Sequence, residues 1–310
     1  METEGARLSR RAVLGGAMGG LALAALSPQT ALAAAVPEAQ VRAIVFDDDA
    51  PILASDGLWR SPDEGATWTE LPFPGVEITA LAAHADRDGW IFAGLASGGI
   101  LVSRDSGAGW AEIGSGLPDA PVRALAVAAQ SPDTLYAAVE GDGLWVSRDA
   151  GQRWEFAMDR PFADGAERDL LTLASVNAET GMGGIWIYAG TETGITRLPD
   201  CFCRWQDVRP GNAMDALVLG DALPPEKPLP ESEPVRSLAV APQEPAVLYA
   251  GLPSGIWKSS DAGVTWAKVN SADTRRLAVD PSNPLHVLAA TAGGLLISRD
   301  GGLTWTAPDV

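Results

Sequence analysis

Ser298-Arg299-Asp300-Gly301-Gly302-Leu303-Thr304-Trp305 recurs, with its spacing intact, at four other places in the chain. The copies are Ser61-Pro62-Asp63-Glu64-Gly65-Ala66-Thr67-Trp68, Ser103-Arg104-Asp105-Ser106-Gly107-Ala108-Gly109-Trp110, Ser147-Arg148-Asp149-Ala150-Gly151-Gln152-Arg153-Trp154 and Ser259-Ser260-Asp261-Ala262-Gly263-Val264-Thr265-Trp266. Each reads as a tight turn between two strands. The Ser and Asp side chains can bond the turn's own amides, Gly takes a positive φ, and the Trp opening the next strand covers the turn with apolar area. Such an element is structural, so Ser61, Asp63, Trp68 and their counterparts speak for fold before activity.

Outward from each turn the pattern is one of short apolar runs. In the third copy these are Val122–Val127, Thr134–Val139, Gly143–Ser147 and Trp154–Phe156. Four short strands at this period make one blade of a β-propeller. The frame fits six times, over about 41–71, 76–113, 121–157, 168–208, 234–269 and 274–308. The expected fold is all-β, a six-bladed propeller of four-stranded antiparallel blades in a single domain over 34–310. The fourth blade is irregular: Trp205 is kept, but Pro199-Asp200-Cys201-Phe202-Cys203-Arg204 replaces the turn. Two insertions, 158–167 and the proline-rich 209–233, flank that blade, and the second is expected to be semi-extended and poorly packed.

The first 33 residues differ in kind. Ser9-Arg10-Arg11 leads into a mildly apolar Ala- and Gly-rich run, and Ala31-Leu32-Ala33 follows as a small-residue cleavage pattern. This looks like a twin-arginine export signal, which places the mature protein in the periplasm or outside the cell, membrane-tethered where the signal stays uncleaved. The whole chain carries a net charge of −18. Without its first 33 residues, which hold three Arg and two Glu, it keeps 19 basic and 38 acidic residues, a net −19. An acidic surface of this kind repels phosphate backbones and anionic lipid, so nucleic acid is not the expected partner. The mature chain is expected to be a monomer with no membrane span and no cofactor.

The five octapeptides resemble the Asp-box, or BNR repeat, of sialidases, xyloglucanases, sortilin-type receptors and the photosystem II stability/assembly-factor family. In those families the box joins the two outer strands of a blade, away from the active face. The resemblance covers the mature chain and implies a sialidase-superfamily propeller, in type nearest to the exported assembly-factor-like proteins, although that family's seven blades are one more than this repeat count.

Function then rests on the opposite face, where the blade connections and the turns between second and third strands gather. Arg42, Arg123, Arg236 and Arg275 open first strands in blades one, three, five and six. At the channel mouth they would form a positive site suited to a carboxylate-bearing peptide or an anion. The alternative is that each pairs with an acidic neighbour. The leading reading is a non-catalytic scaffold that binds a protein partner or assists an envelope or membrane complex. The competing reading is a glycoside hydrolase or carbohydrate-binding propeller, for which Asp56, Glu140, Asp142 and Glu192 in face turns are the available carboxylates. No Arg-Ile-Pro motif accompanies them, and Tyr136, Tyr188 and Tyr249 fall on second strands, where blade packing is expected.

Cys201 and Cys203, the only cysteines, are expected to form a disulfide that staples the irregular turn after export. No metal site is expected: His84 and His286 lie in different blades, and Asp47-Asp48-Asp49 and Asp86-Arg87-Asp88-Gly89 lack the spacing of a calcium loop.

Overall fold

The computed structural model describes residues 40–163, 165–180, 183–208 and 227–308. The export segment over 1–33 and most of the proline-rich insertion lie outside the described residues. Within them no helix is long and apolar enough to cross a membrane.

Short runs of two to nine residues, apolar in the inner strands, form antiparallel sheets whose strands lie in chain order. Blade one comprises β1 (Ala43–Asp47), β2 (Ala50–Ala54), β3 (Leu58–Arg60) and β4 (Thr69–Leu71). Blades two to five repeat this order. Their first strands are β5 (Ile78–Ala82), β9 (Val122–Ala128), β15 (Thr172–Glu179) and β19 (Ser237–Ala241). In blade six, β23 (Thr274–Val279), β24 (Val287–Thr291) and β25 (Gly294–Ser298) are followed by a fourth element reduced to one bridge, in which Ile297 and Thr306 exchange both backbone hydrogen bonds. Each first strand contacts the next around the ring, and β23 contacts β1. Six blades therefore close a ring around a central channel without a borrowed strand.

Burial follows from this stacking. Inner strands are covered on both faces by neighbouring blades, so Ile91–Leu95 is buried throughout, whereas the outermost Thr69–Leu71 is largely exposed. The core is correspondingly divided between blades. One cluster joins Phe92 and Val102 of blade two to Leu135 and Trp154 of blade three, and another joins Leu288 and Ile297 of blade six to Leu53 and Trp68 of blade one.

The repeated turn explains why its residues are fixed. In all five copies the Ser hydroxyl donates to the Asp carboxylate and accepts from the Gly amide two residues further on, at 2.7–2.9 Å. The Asp carboxylate also takes the amide four residues on, from Thr67, Gly109, Arg153, Thr265 or Thr304. Two consecutive residues are left-handed, not one: Glu64, Ser106, Ala150 and Ala262 have φ of 56–58° immediately before Gly65, Gly107, Gly151 and Gly263. Without glycine, each of those four residues adopts a conformation that the hydrogen bonds must hold. The turn also needs a bare Gly, because a Cβ on Gly107 or Gly151 would meet Leu71 or Ile113 of the preceding blade at 2.7 or 2.5 Å.

The tryptophans divide. Trp68, Trp154 and Trp266 are buried, while Trp110 and Trp305 are partly exposed, so the cover each gives its turn is not uniform. Four of the five donate their indole N–H to the turn's own Gly carbonyl; Trp110 reaches Pro72 O at 3.1 Å instead and stacks edge-on against Phe73. The tyrosines are packing residues. Tyr188 and Tyr249 donate to Ala262 O and Gly301 O in the turn of the following blade, and burial pushes Tyr249 up to about 12 and raises Tyr136 and Tyr188 as well.

In blade four the sulfurs of Cys201 and Cys203 are joined. Phe202 between them is left-handed at φ 55° and lies edge-on to Tyr136 of blade three. The 158–167 insertion forms a small hairpin, Phe162–Ala163 with Ala166–Glu167. The described end of the second insertion is better packed than expected. Leu229 is buried in the cluster holding Val235 and Trp266, and Lys227 O accepts the Trp266 amide, because the link between blades lies along the next blade's turn.

Candidate functional site

The two ends of the channel differ in what the chain places there. Loops between first and second strands crowd the end that carries the repeated turns: Ser106 N donates to Gly89 O, and Ala150 N to Asp133 O. That mouth is a funnel of about 430 Å³ in which Val45, Val127, Val240 and Val279 alternate with His84, Asp86, Ser175, Asn177 and Gln243. The other end holds the starts of the first strands and the turns between second and third strands, the face singled out from the sequence. Asp56, Glu140 with Asp142, and Glu192 all lie in such turns, in blades one, three and four.

A cavity of about 250 Å³ at this end is lined by Arg42, Glu77, Thr79, Arg123, Leu171, Arg236 and Arg276. Arg42, Arg123 and Arg236 stand where expected. Arg275 does not line the cavity; Arg276 does. Register accounts for the backbone but not for the choice. Arg275 occupies the same extra, bulged position as Thr79 and Arg123, each of which is skipped in pairing with the second strand. Arg276 falls where other blades carry Ala43, Ala80, Ala124, Thr172 and Ser237. A guanidinium cannot fit a slot sized for those side chains, so it extends along the channel wall.

Three of the arginines are tied to carboxylates. Arg42 Nε lies 3.1 Å from Glu77 Oε1 of the next blade and also donates to Ser55 O. Arg123 pairs with Glu140 across its own blade, and Arg236 Nη1 lies 2.6 Å from Asp273 Oδ1 before blade six. Pairing with acidic neighbours is thus what the structure shows for these three. Glu77 and Asp273, which the sequence reading missed, sit in connections between blades, and only the ring geometry brings them to the mouth.

Arg276 differs in having backbone carbonyls as its partners. Its Nε donates to Arg42 O, and its Nη1 to Arg236 O at 3.2 Å and Arg275 O at 2.8 Å. Burial, and then the charge of Arg236, bring its pKa down to about 10, so it remains a cation at neutral pH.

The carboxylates offered for glycoside hydrolysis are spread over the face turns of three blades, with Glu140 and Asp142 in the same turn. Asp56 accepts from Ser55 Oγ at 2.9 Å, and Glu140 is paired with Arg123. Among the described residues no three His, Cys, Asp or Glu side chains cluster to hold a metal ion. His286 is buried against Asp280, at 3.2 Å, and Asp47 ties blades one and two by accepting from Arg60 and the Gly89 amide.

Neither the family models nor the curated proteins compared with this sequence match it. Solved propeller structures do. The chain is similar to the GH74 xyloglucanase from Xanthomonas campestris, with a TM-score of 0.54 and 21% identity over 86% of this chain and 46% of that one. It is also similar to YCF48 bound to D1 peptide (TM-score 0.51, 17% identity, 87% of this chain and 80% of that one). A third is the extracellular domain of a one-component system from B. thetaiotaomicron (TM-score 0.53, 13% identity, 84% and 32%). The chain spans less than half the length of the xyloglucanase it matches. At these identities the likeness is one of fold: this chain is a β-propeller similar in fold to a xyloglucanase, to a protein solved with a bound peptide and to the extracellular domain of a one-component system alike.

Proposed function

We propose that this chain is an exported, monomeric, non-catalytic propeller of the Asp-box type whose arginine-bearing face holds an acidic segment of another protein, in the service of an envelope or membrane complex. The observation that carries the reading is the cavity walled by Arg42, Arg123, Arg236 and Arg276 in a protein of net charge −18. A local positive site inside a negative surface attracts carboxylates and rejects most other acidic proteins by their bulk charge. The guanidinium forks offer the paired donors that a peptide carboxylate fits. The Glu77, Glu140 and Asp273 partners keep the forks oriented and can be exchanged for a ligand carboxylate with little loss, since exposed ion pairs are each worth only about 0–1 kcal/mol. YCF48 with its bound peptide supports the same use of the fold.

The test is capture from an array of acidic peptides with free C-termini, using the wild-type chain and a triple variant carrying Arg42→Gln, Arg123→Gln and Arg236→Gln. Peptides retained by the wild type and lost by the variant, with an unchanged melting temperature, support the proposal. Equal retention by both proteins, or no retention by either, overturns it. Release of sugar from xyloglucan or a sialoside by the wild type would move the reading to a glycoside hydrolase.

A further inference from the structure

We infer that Arg276 holds a small monovalent anion, of the size of chloride, inside the channel just below the arginine mouth. This stands apart from the peptide reading, because it concerns the isolated protein and a chamber deeper than the rim.

Charge at the mouth is the first argument. Arg42, Arg123 and Arg236 are each matched by one carboxylate, from Glu77, Glu140 and Asp273. Arg276 has none among the described residues: its acceptors are the carbonyls of Arg42, Arg236 and Arg275. Carbonyl dipoles hold a guanidinium in place but leave its unit charge uncancelled, and an uncancelled charge that is partly buried is costly. One monovalent anion supplies the single partner that, of the four arginines lining the cavity, only Arg276 lacks.

Geometry is the second. The Nη2 group is left without a protein acceptor, so two N–H donors stay free. Arg276 lines both the outer cavity and an inner chamber of about 80 Å³. Arg123 and Arg236 also face both spaces, and Leu125, Leu173 and Leu238 supply apolar wall to the inner one. With a water occupying about 30 Å³, the chamber has room for one small anion and a water or two. Partly apolar walls favour an anion that sheds its hydration easily. The peptide segment proposed for the rim is too wide to follow it.

Position is the third. Arg276 interrupts a ring of small residues, Ala43, Ala80, Ala124, Thr172 and Ser237, where blade six meets blades five and one. An anion here would damp the repulsion between Arg276 and Arg236 where the ring closes, so binding should register as stability.

The experiment compares melting of the full chain in chloride, bromide and gluconate at fixed ionic strength. Gluconate is too large for the chamber. Chloride and bromide should each raise Tm saturably by about 2–4 °C over gluconate, the shift for a chain of this size when the anion stands at roughly four to five times its Kd. Arg276→Gln should abolish that difference. Crystals grown in bromide should show an anomalous peak within about 4 Å of Arg276 Nη2. This last measurement decides the matter on wild-type protein if the variant fails to fold. A Tm indifferent to the anion and a channel without bromide would overturn the inference, whatever the peptide array shows.

Discussion

The two ends of the channel are made from the same six repeats, yet they solve opposite problems. At the end carrying the repeated turns, the Ser and Asp side chains of each turn find their partners within eight residues of chain, and the five copies repeat one hydrogen-bond pattern. At the arginine end no two blades agree: Arg42 meets Glu77, Arg123 meets Glu140, Arg236 meets Asp273, Arg276 meets carbonyls, and Thr79 and Leu171 bring no charge. Repetition marks what each blade needs in order to fold. Departure from it marks where one blade is asked to differ, and a binding site on a repeat protein is built from such departures.

The comparison can be broken hardest at the tryptophans. Trp68→Ala should destabilise by about 3–5 kcal/mol in chemical denaturation, because Trp68 is sealed between blades six and one. Trp110→Ala, on a partly exposed ring, should cost visibly less. Equal losses at the two sites would show that burial is not what separates the copies. A smaller effect comes from the hydroxyl that organises the turn. Ser61→Ala leaves the Gly65 amide without its acceptor and should cost about 1–3 kcal/mol, whereas Arg42→Gln at the other end should cost under about 1 kcal/mol.

The disulfide of blade four ranks next. It closes so short a loop that chain entropy assigns it about 1–2 kcal/mol, so melting with and without a reductant should differ by only a few degrees. If reduction unfolded the protein, the pair would be doing more than replacing a turn. The smallest effect is a pH dependence. The Thr304 hydroxyl and then its amide hold the Asp300 carboxyl down at about 2. A depressed carboxylate stabilises fully above its unfolded value, near 3.9, and loses that contribution as pH falls through the folded one. The Tm gap between wild type and Asp300→Asn should therefore stay constant from neutral pH to about 5 and shrink below about 4.

Much of the fold was legible because its signals are local. The Ser, Asp, Gly and Trp of each turn contact one another across at most eight residues, so spacing alone carried the blade count and the strand order. Sequence also placed Arg42, Arg123, Arg236 and the four candidate carboxylates on one face, since strand order fixes which turns share an end. Leu229 was not legible, because a proline-rich composition says nothing of one apolar side chain that finds a cluster. The second left-handed residue of each turn was hidden too, since Glu64, Ser106, Ala150 and Ala262 share no chemistry that would announce it.

By itself, then, the sequence determined a ring of turn-stapled blades and the end of it that carries the arginines, because those follow from contacts within one repeat. Only the tertiary structure decided that Arg276 and not Arg275 enters the channel, and that Glu77 and Asp273 meet arginines of other segments. Alignment gives a backbone position, but where a long side chain goes depends on the space and the acceptors that neighbouring blades leave open, and those exist only once the ring has closed.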